Sequence, residues 1–238
     1  MTAMPEENFR AEYLRPVEFA TMPDPRSTSF VKYDPEFREM RPLKLEDHHR
    51  AMSELLLHSD VPERVIIQFE TAKNLFLYAW FVYRFFAVAE RQSLSCLELA
   101  LRERFGDKLP EKYAGRRGRP TLKPYLRYAR DGGYIKNEGF TRWHEAVGRR
   151  ARNRYDYEKM QEMIDRGLKS IILDESEIVV KDEDRDWDFI GALIETLPAT
   201  RNNYAHGTGS IHSQVRGTLE IVSQIINQIF PTRRLLDK

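Results

Sequence analysis

Cysteine occurs once in this chain, at Cys96, which excludes an internal disulfide framework and any zinc site built from cysteines, and fits a reducing compartment. Cys96 lies in an apolar helical stretch and reads as core filler. Net charge is almost absent: Lys+Arg 38 against Asp+Glu 37 leaves +1, which excludes a uniformly basic nucleic-acid coat. Long apolar runs are missing too. The most apolar stretch, Leu75 to Ala89, is interrupted by Tyr78, Tyr83 and Arg84, so no membrane span is expected. No charged-then-apolar segment opens the sequence, so no secretion signal is expected and the reading is cytoplasmic. His48, His49, His58, His144 and His212 have no metal-ligand spacing with cysteine or carboxylate partners, so neither a metal nor a cofactor is expected. No internal repeat or low-complexity segment is visible.

What remains is a chain of 238 residues, 41% hydrophobic, enough for one substantial core. Prolines at 5, 16, 23, 25, 35 and 42 mark residues 1–60 as an irregular N-terminal arm carrying one short helix, Leu45 to His58. Asp60-Val61-Pro62-Glu63 has the form of a helix start, and from there to Phe105 no proline or glycine intervenes. Apolar residues recur every three or four positions, from Val65 through Phe69, Phe76 and Leu94 to Leu101. This predicts one long buried helix, kinked or split near Glu90 to Ser95 and ended by Gly106. Residues 107–140 form a Gly/Pro-rich excursion with a short helix at Leu122 to Arg130. Further helices are expected at Thr141 to Gly167, at Trp187 to Leu197 where Pro198 breaks it, and at Ile211 to Ile229. Ile178-Val179-Val180 has the composition of a small strand. The fold class is therefore all-α, a helical bundle of four to five main helices over residues 61–238, preceded by the arm.

Charge is balanced in sum but separated along the sequence. Between Lys112 and Glu158 basic residues dominate; from Asp174 to Asp188 acidic ones do. Arginine exceeds lysine more than twofold, and its planar fork suits bidentate phosphate contacts. Arg149, Arg150, Arg152 and Arg154 are interleaved with Trp143, Tyr155 and Tyr157. Two readings stand: a nucleic-acid surface whose aromatics stack on unpaired bases, or an amphipathic helix anchored to the core by those aromatics.

The chemistry concentrates in Arg201-Asn202-Asn203-Tyr204-Ala205-His206, followed by Gly207. Asn202 and His206 are four residues apart and share a helix face, and the long side chain of Arg201 can swing to join them. Cleaving RNA internally needs a base for the 2′-hydroxyl proton, an acid for the leaving 5′-oxygen and a cation for the phosphorane. Histidine and arginine supply these without a metal. One histidine cannot hold both protonation states at once, so two copies facing each other across a twofold axis would complete the site. Arg41 and His48 form a similarly spaced pair, but inside the proline-rich arm, where it reads as a coincidence.

The segment Leu197 to Gly207 resembles the signature of the HEPN superfamily: an arginine, a polar residue, and a histidine four to six positions after the arginine. Ala89-Glu90-Arg91-Gln92 and Leu97-Glu98-Leu99-Ala100-Leu101-Arg102 resemble the long first-half helix of such domains. The resemblance implies a helical domain over 61–238 that dimerises around a cleft and acts as a metal-independent endoribonuclease, in phage defence, toxin–antitoxin pairs or RNA processing. Arg201 and His206 would be the catalytic pair, with Asn202 orienting them; RNA, a second copy and an antitoxin or regulatory protein would be the partners. Thr208 stands where toxins paired with a nucleotidyltransferase antitoxin carry tyrosine, a departure from that subgroup. Other members are non-catalytic modules that bind nucleotide or nucleic acid, which is the alternative for this chain.

Overall fold

The computed structural model describes residues 12–113, 120–205 and 214–232. The fold is mainly α-helical. Helices α1 (Leu45–Ser53), α2 (Glu63–Tyr78), α3 (Phe85–Phe105), α4 (Leu122–Asp131), α5 (Thr141–Asp165), the single turn α6 (Asp182–Arg185), α7 (Phe189–Ala205) and α8 (Arg216–Ile229) follow in order. One small antiparallel hairpin joins β1 (Val31–Asp34) to β2 (Glu39–Pro42), with Val31 opposite Pro42 and Asp34 opposite Glu39. Its turn takes Arg38 into the left-handed region, at φ 53°.

The core forms where the apolar repeats face inward. Val65, Phe69, Ala72 and Phe76 of α2 meet Phe86, Leu94, Leu97 and Leu101 of α3. The two helices run antiparallel: the Cys96 thiol reaches the Val65 carbonyl at 3.3 Å, and Arg64 near the start of α2 pairs with Glu103 near the end of α3. Burial pushes the Cys96 thiol up to about 12, as expected of an inert core cysteine. α8 packs its Leu219, Val222, Ile225, Ile226 and Ile229 face into the same core, and Thr218 donates to the buried Glu90 carboxylate at 2.5 Å. α4 and α7 pack against each other and against α3.

Four expectations change. The long helix expected over 61–105 is split, but between Tyr78 and Phe85, ahead of the expected position. The cause is the arm: Asp24 donates its N–H to the Trp80 carbonyl at 2.9 Å and accepts the Tyr83 N–H at 3.3 Å, replacing bonds that a continuous helix would make. Glu90 to Ser95, where the break was expected, lies inside α3. The early helix is shorter than expected, ending at Ser53 instead of His58. Ile178 to Val180 form no strand, for nothing pairs with them as a ladder. Pro198 does not break the helix that carries it, and α7 continues to Ala205. Proline removes one helical hydrogen bond, but Leu193, Ile194 and Leu197 are buried just ahead of it and hold the helix on its course. The arm itself is irregular for most of its length, yet it contributes the hairpin and a fully buried carboxylate, Asp24.

Candidate functional site

The continuity of α7 through Pro198 decides where the candidate arginine points. Arg201 and Asn202 stand on the last helical turn and line a narrow cleft of about 230 Å³, whose other wall is the start of α4 with Thr121, Leu122 and Lys123. Arg201 is partly exposed, its side chain at 41%, and its Nη2 meets the Glu98 carboxylate of α3 at 3.4 Å. Its Nη1 lies 3.5 Å from the Asn202 Oδ1. These are long contacts. They orient the guanidinium without saturating it, since at least three of its five N–H donors make no bond to the described residues. Glu98 is mostly covered, so the pair is fixed from the core side and open on the cleft side.

The start of α4 also borders a larger cleft of about 650 Å³, where Pro120, Tyr125, Leu99 and Arg102 meet Arg64 and Lys108. Tyr125 anchors the wall: it is buried, its hydroxyl donates to the Gly106 carbonyl at 2.7 Å, and burial pushes its ionisation upward. Lys123 at the mouth of the smaller cleft pairs with Glu195 of α7, and that contact draws the Glu195 carboxyl below its ordinary range. A bound anion in this cleft would meet Arg201 from α7 and Lys123 from α4.

His206 lies outside the described residues, as do Gly207, Thr208 and His212. The structure thus brings Arg201 and Asn202 together and ends the described part of α7 at Ala205, one residue before His206.

The arginines of α5 have a different setting. Arg154 is clamped by Asp184 at 2.7 Å, by the Val179 carbonyl at 2.7 Å, and by Glu158 and Glu183 at 3.3 Å each. Arg150 donates to the Asp186 carbonyl at 2.7 Å and lies 5.8 Å from the ring centre of Trp187. Arg152 pairs with Glu175. Only Arg149 of the four makes no ion pair or hydrogen bond among the described residues. The aromatics divide as well: Trp143 and Tyr155 are buried, Tyr155 holding the acidic segment through the Asp174 N–H at 3.0 Å and Glu177 at 3.2 Å, while Tyr157 is exposed. The acidic stretch has folded back on the basic helix, and none of the four arginines lines the Arg201 cleft. The Arg154 contact holds the Asp184 carboxyl below its usual range, and Arg154 in turn is raised, first by Asp184.

Two groups of this site were not singled out from sequence: Glu98 and Lys123. Glu98 carried a signal, being a carboxylate set between the buried Leu97 and the apolar Leu99 on a core helix. Lys123 had none, because its place beside Arg201 depends on how α4 packs against α7.

Among the described residues no group of three or more His, Cys, Asp or Glu is arranged to hold a metal ion, and no helix is long and apolar enough to cross a membrane. In comparisons with known proteins, no family model matches the chain, and no curated protein and no solved structure is similar to it.

Proposed function

We propose that this chain is a metal-independent endoribonuclease of HEPN type, acting as a homodimer in which Arg201, Asn202 and His206 of two copies share one cleft. The observation that supports the reading is the half-exposed guanidinium of Arg201, oriented from behind by Glu98 and open toward a cleft with a second cation, Lys123, at its rim. In the proposed reaction one imidazole takes the 2′-hydroxyl proton of the RNA, the 2′-oxygen attacks the adjacent phosphorus, and the second imidazole protonates the departing 5′-oxygen. The products are a 2′,3′-cyclic phosphate and a 5′-hydroxyl, with no net oxidation or reduction. Arg201 stabilises the charge that gathers on the phosphorane oxygens.

The experiment is incubation of the purified chain with single-stranded RNA in EDTA beside His206→Ala, with analysis of product ends. Cleavage by the unaltered chain alone, leaving cyclic phosphate ends, supports the reading. Equal cleavage by both proteins, or by neither, refutes it.

One observation favours a second reading: Arg201 already has a carboxylate partner, so it could serve as an interhelical tie between α3 and α7 in a module that binds nucleic acid without cutting it. In that case RNA is bound in a strongly salt-dependent way and recovered intact.

A further inference from the structure

On a different part of the molecule the hairpin, α1, the α2–α3 pair and the start of α8 border a partly open cavity of about 360 Å³. Its walls are apolar and largely aromatic: Phe30, Leu43, Ala51, Phe76 and Phe86. The one imidazole among them belongs to His48, only 4% exposed, with its ring 5.3 Å from Phe76, 6.0 Å from Phe86 and edge-on to Trp80 at 5.1 Å. Its Nδ1 is buried and has no hydrogen-bond partner among the described residues. Buried polar atoms are almost always paired, and leucine or phenylalanine would fill this position without the loss, so an unpaired imidazole bordering a cavity needs a reason.

The charged groups at the cavity differ in how firmly they are held. Asp47 is fully engaged, accepting from Arg41 at 2.7 Å, from Lys32 at 2.8 Å and from the Lys44 N–H at 3.0 Å. It has no capacity left for a ligand, and Lys32 and Arg41 more than cancel its charge. Arg216 is partly exposed and pairs with Glu54 at 3.1 Å and Glu220 at 3.4 Å; these use two of its five N–H donors, and the others make no bond to the described residues and can meet an incoming anion. The cavity therefore combines an apolar, largely aromatic interior, one unpaired imidazole and one guanidinium with donors to spare. Its volume is at the small end of the range of roughly 300–1,000 Å³ typical of ligand sites, which suits one or two fused rings.

We propose that this cavity binds a small planar aromatic acid, its ring among Phe30, Phe76 and Phe86, its ring N–H or hydroxyl against the His48 imidazole, and its carboxylate on Arg216. Edge and face contacts with three phenylalanines favour a flat ring over an aliphatic chain of the same volume. The imidazole selects rings that carry a polar hydrogen, and the guanidinium selects the acid over the neutral analogue. The site is separate from the Arg201 cleft and does not depend on the reaction proposed there. Its occupant would fasten the hairpin to the helical core, since Phe30 and Leu43 flank β1 and β2 while Phe76 and Phe86 belong to α2 and α3.

The test uses the full chain with indole-3-carboxylate as probe, and indole as the neutral control, in ligand-observed NMR and calorimetry. Ala51→Leu fills the cavity with an added isopropyl group, and Arg216→Gln removes the cation from a surface position; thermal melts confirm that both remain folded. Saturable binding of indole-3-carboxylate is expected, weakened about tenfold or more by Ala51→Leu and about tenfold by Arg216→Gln, with indole itself unaffected by the second change. A shift of the His48 ring-nitrogen resonance on adding either probe is expected. No saturable binding of either probe up to millimolar concentration overturns the proposal, as does equal binding to Ala51→Leu, or an unchanged His48 resonance at saturation.

Discussion

Two groups of arginines in this molecule have similar sequence credentials and opposite surroundings. Arg150, Arg152 and Arg154 on α5 are consumed by the acidic segment that follows them, whereas Arg201 on α7 makes only long contacts among the described residues, with Glu98 and Asn202, and faces a cleft. Charge separated along the chain has been annulled in space on one side and left available on the other. A basic run is thus a poor guide to an anion-binding surface until its intramolecular partners are known, and a solitary arginine beside a cleft can count for more than a cluster.

The largest effect that would sharpen this contrast is on cleavage. Arg201→Ala or His206→Ala should lower RNA cleavage at least about 100-fold, the scale of losing an oriented cation or proton carrier. Arg149→Ala, measured in the same assay, should change it by less than about threefold, as expected for an exposed charge away from the cleft.

Next in size is stability. Asp24 is wholly buried and ties the arm to the α2–α3 turn, with Arg26 at 2.9 Å and the Tyr83 N–H as partners. Asp24→Ala should cost about 3 kcal/mol in denaturant unfolding, because it leaves the Tyr83 N–H without its acceptor and takes a buried carboxylate from Arg15 and Arg26. A cost near zero would show that the arm is not anchored there.

The dependence on pH follows from the same contacts. Burial raises the Asp24 carboxyl, but Arg26 and the two backbone donors outweigh it and the net shift is downward; Arg41 draws Asp47 down as well. Carboxyls depressed in the fold stabilise it fully above the unfolded value, about 4, and lose that contribution as pH falls toward their folded values. Burial lowers His48 against a smaller opposing pull from Asp47. Below about pH 6.5 the unfolded chain takes up this proton and the fold does not, so stability should begin to decline there, ahead of the carboxylates. Melting temperatures from pH 8 to pH 3 should show both phases, and His48→Phe should remove the first.

A smaller change breaks the clamp on α5. Asp184→Asn should leave the core intact, speed hydrogen exchange in residues 174–185, and remove one of the three carboxylates that hold Arg154, so that nonspecific RNA binding tightens modestly and becomes more salt-sensitive. Smallest of all, Arg152→Ala should alter stability by less than about 0.5 kcal/mol, since its pair with Glu175 is on the surface.

The helices were legible in the sequence wherever one periodic face meets the core, as in α3 with Phe86, Leu94, Leu97 and Leu101 or α8 with Leu219, Val222 and Ile226. What could not be read were features set by contacts distant in sequence. The break between α2 and α3 depends on Asp24, which lies more than fifty residues before Tyr83 and gives no local sign. Pro198 has the local form of a helix stop, yet tertiary packing of Leu193 to Leu197 carries the helix through it. The arginine–histidine pair set aside in the arm concealed a different feature: Arg41 engages Asp47, and His48 turns into an aromatic cavity. For the candidate site, Arg201 and Asn202 stood out by residue type and spacing, whereas Glu98 and Lys123 join them only through packing.

The contrast between the two arginine groups is tested most directly by one cleavage assay in EDTA on single-stranded RNA, comparing Arg201→Ala with a combined Arg149→Ala, Arg150→Ala, Arg152→Ala protein. The account predicts that the single change abolishes cleavage and the triple change leaves most of it. Retained cleavage in Arg201→Ala, with loss in the triple variant, would place the working cations on α5 and contradict it.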